Sequence, residues 1–220
     1  MTLNSVIIAD DSAECNIADL CVSLKDSTLQ LLNQYVFFHP DVGLNSREYL
    51  SAHVTKQNLS EHLRQVNSNN FICFWYGHGQ EQSFSIGGED IVTTRENHYI
   101  FSNALIYTFS CHNGGGLADA LIRNQTKVFV GYKGKAYCPD GINDITTAIV
   151  MSFLNSFFDG KTIFEAMNDL KSAYEHSIYD DTLDPIQRFL FQENRDNLVV
   201  KGNGDFTIND LLVVSDYGVI

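Results

Sequence analysis

Five short apolar runs punctuate the chain, and each gives way to polar or glycine-rich residues. They are Ser5–Ala9 (SVIIA), Tyr35–His39 (YVFFH), Asn70–Trp75 (NFICFW), Ala104–Phe109 (ALIYTF) and Lys127–Gly131 (KVFVG). None alternates polar with apolar, so each reads as a strand buried on both faces. Helical spacing fills the intervals. Asn16–Asn33 carries Ile17, Leu20, Cys21 and Leu24, and Ser46–Val66 carries Tyr49, Leu50, Val54, Leu59, Leu63 and Val66 with Ser46 as its cap. Leu117–Asn124, Asn143–Phe158 and Thr162–Ser177 follow, with Gly160 as a stop between the last two. The stretch SFSIGGEDIV predicts a hairpin turning at GGED (Gly87–Asp90), and Leu198–Val200 and Leu211–Val214 read as late strands.

Strands alternating with helices predict an α/β fold: a three-layer α/β/α sandwich around a mostly parallel sheet of about six strands. With no linker, repeat or low-complexity tract, residues 1–220 read as one domain. In such sheets ligands bind beyond the carboxyl ends of the strands. That edge would collect Asp10 and Asp11 after the first run, Gly77-His78-Gly79 after the third, Ser110-Cys111-His112 and three glycines after the fourth, and the loop to Asp140 after the fifth.

Charge and cysteine content narrow the classes. Fourteen basic residues against 27 acidic give a net charge of −13. No Lys/Arg cluster is present, so nucleic-acid binding is not expected. The N-terminus lacks the basic region of a secretory leader, and no run of about 18 apolar residues exists, so neither secretion nor membrane insertion is expected. The sequons at Asn58 and Asn124 then carry no weight. The five cysteines, at 15, 21, 73, 111 and 138, form no CxxC pair. That argues against a disulfide frame or zinc ribbon and predicts a reducing, cytoplasmic setting.

Cys111 and His78 carry the candidate chemistry. A thiol becomes a nucleophile as its thiolate, which a nearby His or a helix N-terminus favours. His78 would lie one strand over, placed to take the thiol proton and later return it to a leaving amine. The backbone N–H groups of Gly79 and Cys111 are candidate oxyanion donors. His112, adjacent in sequence, would point away from Cys111. Cys21 and Cys73 fall in apolar patterns and read as core, and Cys138 as an exposed loop thiol. His78, Cys111 and His112 lack a fourth ligand at metal-binding spacing, so no metal and no organic cofactor are expected.

An apolar strand ending in YGHG, followed one hairpin later by an apolar strand ending in FSCHNGG, resembles the caspase-like cysteine peptidases, on their metacaspase, gingipain and CHAT side. The likeness extends over most of the chain, including KVFVGYKG after the cysteine. It implies a catalytic dyad of His78 and Cys111, an oxyanion position at Gly79, and a protein or peptide substrate cleaved through an acyl-enzyme. It also implies control by processing or by a partner protein, and in some relatives by calcium. Two features depart from the family. The Q-A-C-x-G signature is absent, with the His closer to the Cys than the about 50 residues found there. Phe109 stands where metacaspases often carry an acid, so their recognition of a basic side chain does not transfer. Asp10, Asp11, Asp140 and Asp144 are the candidates for a substrate pocket or for orienting His78; the alternative for each is a solvated loop acid or a helix cap. The rivals to a peptidase are a non-catalytic caspase-like docking module and a cysteine hydrolase acting on esters or small amides.

Overall fold

The structure, a computed structural model, describes residues 1–213. Its strands are β1 (Thr2–Ala9), β2 (Gly43–Leu50), β3 (Phe71–Tyr76), β4 (His78–Gln80), β5 (Ser83–Ile86), β6 (Glu89–Thr93), β7 (Ala104–Phe109), β8 (Val128–Tyr132), β9 (Leu198–Gly202) and β10 (Leu212–Val213). Its helices are α1 (Ala18–Phe38), α2 (Lys56–Val66), α3 (Gly116–Arg123), α4 (Asn143–Phe158), α5 (Ile163–Ile178) and α6 (Pro185–Asn197).

Seven strands make the central sheet, six of them in the order β2-β1-β3-β7-β8-β9 and the seventh, β10, beside β1. The β2, β1, β3, β7 and β8 pairings are parallel, and β9 closes the far edge antiparallel to β8. The two-residue β10 pairs with Thr2 and Leu3, on the side of β1 that β3 joins only from Ser5 onward. Helices cover both faces, as the strand–helix alternation predicts.

Side-chain alternation sorts the strand residues between two cores. Ile7, Ala9, Ile72, Phe74, Tyr76, Leu105, Tyr107, Phe109, Val128 and Val130 pack toward α1, α4 and α5. Val6, Ile8, Phe71, Cys73, Trp75, Ala104, Ile106 and Phe129 pack toward α2, α3 and the β5–β6 hairpin. With both faces buried, at about 25 cal/mol per Å² of apolar area, the strands need no polar side, which is why they read as unbroken apolar runs.

Three segments depart from the sequence reading. Tyr35–His39 is not a strand; all but His39 is the last turn of α1. Leu20, Leu24, Thr28, Leu32 and Tyr35 continue one buried stripe at three- and four-residue spacing, and burial along that stripe outweighs the β-propensity of Tyr-Val-Phe-Phe. Ser46 caps no helix: Gly43–Leu50 is an edge strand, and α2 begins at Lys56 behind Thr55, whose hydroxyl accepts from Asn58 N–H at 3.0 Å. Of the eight residues of β2 only Tyr49 is buried, so the strand has no apolar run to announce it. Helix α6 is the third. Asp184 and Gln187 form a capping box around Pro185, a start signal the sequence carries openly. The hairpin turns at Gly87 and Gly88 as expected, with φ of +57° and +78°, a pair of left-handed positions that glycine takes without strain. Of the late strands, Leu198–Val200 lies within β9, and Val214 lies outside the described residues.

Candidate active site

The chain runs from β1 to β2 in one direction along the sheet and from β3 to β7 in the other. Strands β1 and β3 therefore flank the switch point, where the loops leaving their carboxyl ends part and open a crevice. Asp10 leaves β1 there, one register step past the Ala9–Tyr76 pair and so opposite Gly77, with its N–H on Tyr76 O at 2.8 Å. His78 leaves β3. Tyr76 pairs with Phe109 across the β3–β7 ladder, so His78 and Cys111 each stand two residues beyond the same rung of adjacent strands.

The two loops are locked together below that pair. Gly79 packs so closely on Cys111 O and the Asn113 amide that a Cβ there would overlap both. Only glycine permits this approach. Asn113 is fully buried and donates to Gln80 O at 2.9 Å and to Ser83 O at 2.8 Å. Its own oxygen accepts from the Ser110 hydroxyl, which also bonds Thr108. One amide thus ties the cysteine loop to the histidine loop, with both its N–H groups donated and its oxygen accepting.

The Cys111 thiol is half-buried and meets the loop after β8. Ala136 N–H donates to Cys111 Sγ at 3.4 Å, a contact that a thiolate makes more strongly than a thiol. That loop is held from below by α6, whose Asn194 pairs with Tyr137 through both its amide groups at 2.7 Å. Among the described residues the Cys111 N–H has no hydrogen-bond partner, which leaves it free to serve an oxyanion. His112 turns away: it is exposed, sits at φ +60°, and donates its N–H to Gly134 O at 2.7 Å.

His78 is half-exposed, and among the described residues no hydrogen bond joins its ring to Cys111. The ring lies instead beside Asp10 and Cys15. A ring nitrogen, a carboxylate oxygen of Asp10 and the sulfur of Cys15 lie within 4.8 Å of one another. Asp10 is fully buried, and four donors hold it: Ser12 N–H, the Ser12 and Ser51 hydroxyls, and Gly87 N–H. It joins the β1 loop, the turn after β2 and the tip of the hairpin.

The other acids have separate partners. Asp11 is exposed and exchanges hydrogen bonds with Ser51. Partial burial opposes its ionisation, but those bonds prevail and hold its carboxyl below the usual range. Asp140 is exposed, and its backbone carbonyl accepts from the Gln187 amide at 3.1 Å. Asp144 lies in the first turn of α4 and lines a groove with Ser23 and Asp26 of α1. Only Asp10 of the four reaches His78.

The remaining thiols sort by burial. Cys73 is wholly buried, and desolvation drives its thiol far up. Cys138 is half-buried rather than exposed: it contacts Asn143 Oδ1 at 3.2 Å, and burial raises its thiol. Cys15 is the functional candidate the sequence did not single out. The Cys21 thiol beside its sulfur and the Ile17 N–H hold it below the usual value, against burial and the Asp10 charge, while the same contact raises Cys21. The only sequence cue was its position five residues past Asp10, in a loop at the carboxyl edge. Asn113 and Ala136 had no cue beyond lying in such loops.

No protein-family model matches the chain, and no curated protein matches it in sequence. No helix among the described residues is long and apolar enough to cross a membrane.

Proposed function

We propose that this chain is a caspase-like cysteine endopeptidase in which Cys111 is the nucleophile and His78 the general base. The observation that carries this reading is the shared rung: His and Cys at equivalent positions past adjacent parallel strands, beside a glycine that only close approach to the cysteine explains. Cys111, as the thiolate, attacks the scissile carbonyl, and the proton passes to His78. The oxyanion is met by the Cys111 N–H, with Gly79 as the second donor. The amine leaves with the proton from His78, and water activated by His78 hydrolyses the acyl-enzyme. Turning the His78 ring from Asp10 toward Cys111 is part of this cycle; catalytic hydrogen bonds often close only around substrate. Five free thiols fit a reducing compartment such as the cytoplasm.

A thiol-directed peptide electrophile tests the proposal. Cys111 is expected to be labelled ahead of the other four cysteines, and the labelling to fall in His78→Ala. A peptide library cleaved by the native protein and not by Cys111→Ala would add the P1 preference. The second reading, a non-catalytic docking module, is favoured by the missing His78–Cys111 hydrogen bond. It prevails if Cys111 reacts no faster than Cys138. Turnover of esters with none of peptides would instead indicate a small-molecule hydrolase.

A further inference from the structure

The His78 ring shares its crevice with two groups that the peptidase cycle does not use as reactants. Asp10, Cys15 and His78 offer one oxygen, one sulfur and one nitrogen, all within 4.8 Å of one another. They come from the two loops flanking the switch point of the sheet, where ligands bind in folds of this kind. We propose that these three side chains form a zinc site, and that Zn²⁺ bound there withholds His78 from Cys111. The inhibitory part of this proposal rests on the peptidase reading above; the metal site itself does not.

Donor chemistry selects the metal. A thiolate with an imidazole and one carboxylate suits Zn²⁺ and disfavours Mg²⁺ or Ca²⁺, which take oxygen. Bond lengths of about 2.0–2.3 Å in a tetrahedron put ligand atoms about 3.5 Å apart, so closure from a spacing of at most 4.8 Å requires at most about 1.3 Å. His78 is the half-exposed member and is free to make most of that movement.

The supporting groups are in place. Asp10 Oδ1 already accepts three hydrogen bonds, whereas Oδ2 accepts only the Gly87 N–H and keeps a lone pair for a metal. Those bonds fix the carboxylate without being spent on the ion, as outer-shell partners of metal ligands do. Cys15 is buried, and its sulfur lies within 4.8 Å of the other two donor atoms. Binding would release the Cys15 proton to solvent and form a Zn–S bond, with no change of oxidation state. A water molecule would supply the fourth ligand of a tetrahedral ion. Cys111 Sγ is not a member of the cluster and is engaged instead by Ala136.

Cobalt replaces zinc in the test because it is visible. The full chain, reduced and freed of metal with a chelator, is titrated with Co²⁺ and followed by absorbance. A thiolate-to-cobalt charge-transfer band with intense tetrahedral d–d bands is expected, and Zn²⁺ should bleach both. Cys15→Ser should lose the charge-transfer band. His78→Ala, at a half-exposed position that leaves the core alone, should weaken Co²⁺ binding at least about tenfold. Cys111→Ala should keep the full spectrum. Absence of the charge-transfer band in the native chain, its survival in Cys15→Ser, or its loss in Cys111→Ala overturns the site. Inhibition is read separately: Zn²⁺ should slow electrophile labelling of Cys111 in the native chain but not in Cys15→Ser, and equal slowing in both overturns that part. A Cys111 that never reacts, beside an intact cobalt spectrum, indicts the peptidase reading and leaves the metal site standing.

Discussion

Two cysteines compete for His78, one in its cluster and one past the same rung of the neighbouring strand, and their surroundings are opposite. Cys111 is half-exposed, in a glycine-rich loop, with a backbone N–H on its sulfur. Cys15 is buried, beside a carboxylate, with a second thiol on its sulfur. The first setting suits a nucleophile that must meet a substrate; the second suits a ligand that must keep one position. The difference teaches that proximity to a histidine does not assign a cysteine its role. What decides is which atoms touch the sulfur and whether a substrate can reach it.

The sharpest break of this comparison is Cys111→Ala. It should lower amide hydrolysis at least about a thousandfold, measured as kcat/KM on the best library peptide, because no second nucleophile sits on the oxyanion donors. A Cys15→Ser chain should retain the acyl-enzyme burst; loss of the burst there would reverse the two roles. Gly79→Ala comes next. Its methyl group would meet Cys111 O and the Asn113 amide, so unfolding free energy should drop by about 1–3 kcal/mol with labelling of Cys111 impaired. Unchanged stability would show that the two loops are not held as tightly as their contact implies.

Asn194→Ala acts on one cysteine alone. It frees Tyr137, and through it the Ala136 N–H that faces Cys111. Labelling of Cys111 should slow about threefold to tenfold if a hydrogen bond of about 1 kcal/mol is weakened, while cobalt binding at Cys15 stays put. The smallest effect concerns the scaffold. Burial, and then the Arg47 charge, hold the His62 imidazole below its usual range, where its Nδ1 sits 3.2 Å from the Arg47 guanidinium. The unfolded chain therefore binds that proton more readily, so the contribution of His62 is whole above about pH 6.5 and is lost as pH falls toward its folded value. Melting temperature should decline on acidification through that window, and less steeply in His62→Gln. An identical decline in both would remove His62 as a cause.

Much of this was legible in the sequence, for a physical reason. Strands buried on both faces leave unbroken apolar runs, and β1, β3, β7 and β8 were readable with their ends within a residue or so except at the start of β1. The strand-end rule then put His78 and Cys111 on one edge. What escaped had no local signal or a misleading one. Edge strand β2 is nearly all polar because one side of it meets water, and the Tyr-Val-Phe-Phe turn of α1 looks like a strand until Leu20, Leu24, Leu32 and Tyr35 are seen to share a stripe. The partners of the site lay further out of reach. Nothing near Cys15 announces His78, 63 residues on by subtraction, and nothing near Ala136 announces Cys111; only strand order brings them together.

The Asn113 amide has a consequence for how the chain comes to be armed. It joins a loop after β7 to a hairpin after β3, and the thiol above it leans on a loop after β8 that α6 pins near the end of the chain. Parallel strands pair only after long crossovers have closed, which makes such contacts late and slow to form. During synthesis, a chain that has not yet folded α6 leaves the Ala136–Tyr137 loop without its Asn194 support, while Asn113 still joins the other two loops. On the proposed peptidase reading, Cys111 gains its Ala136 contact only once helix α6 is in place, so the order of folding would act as a timer on the thiol.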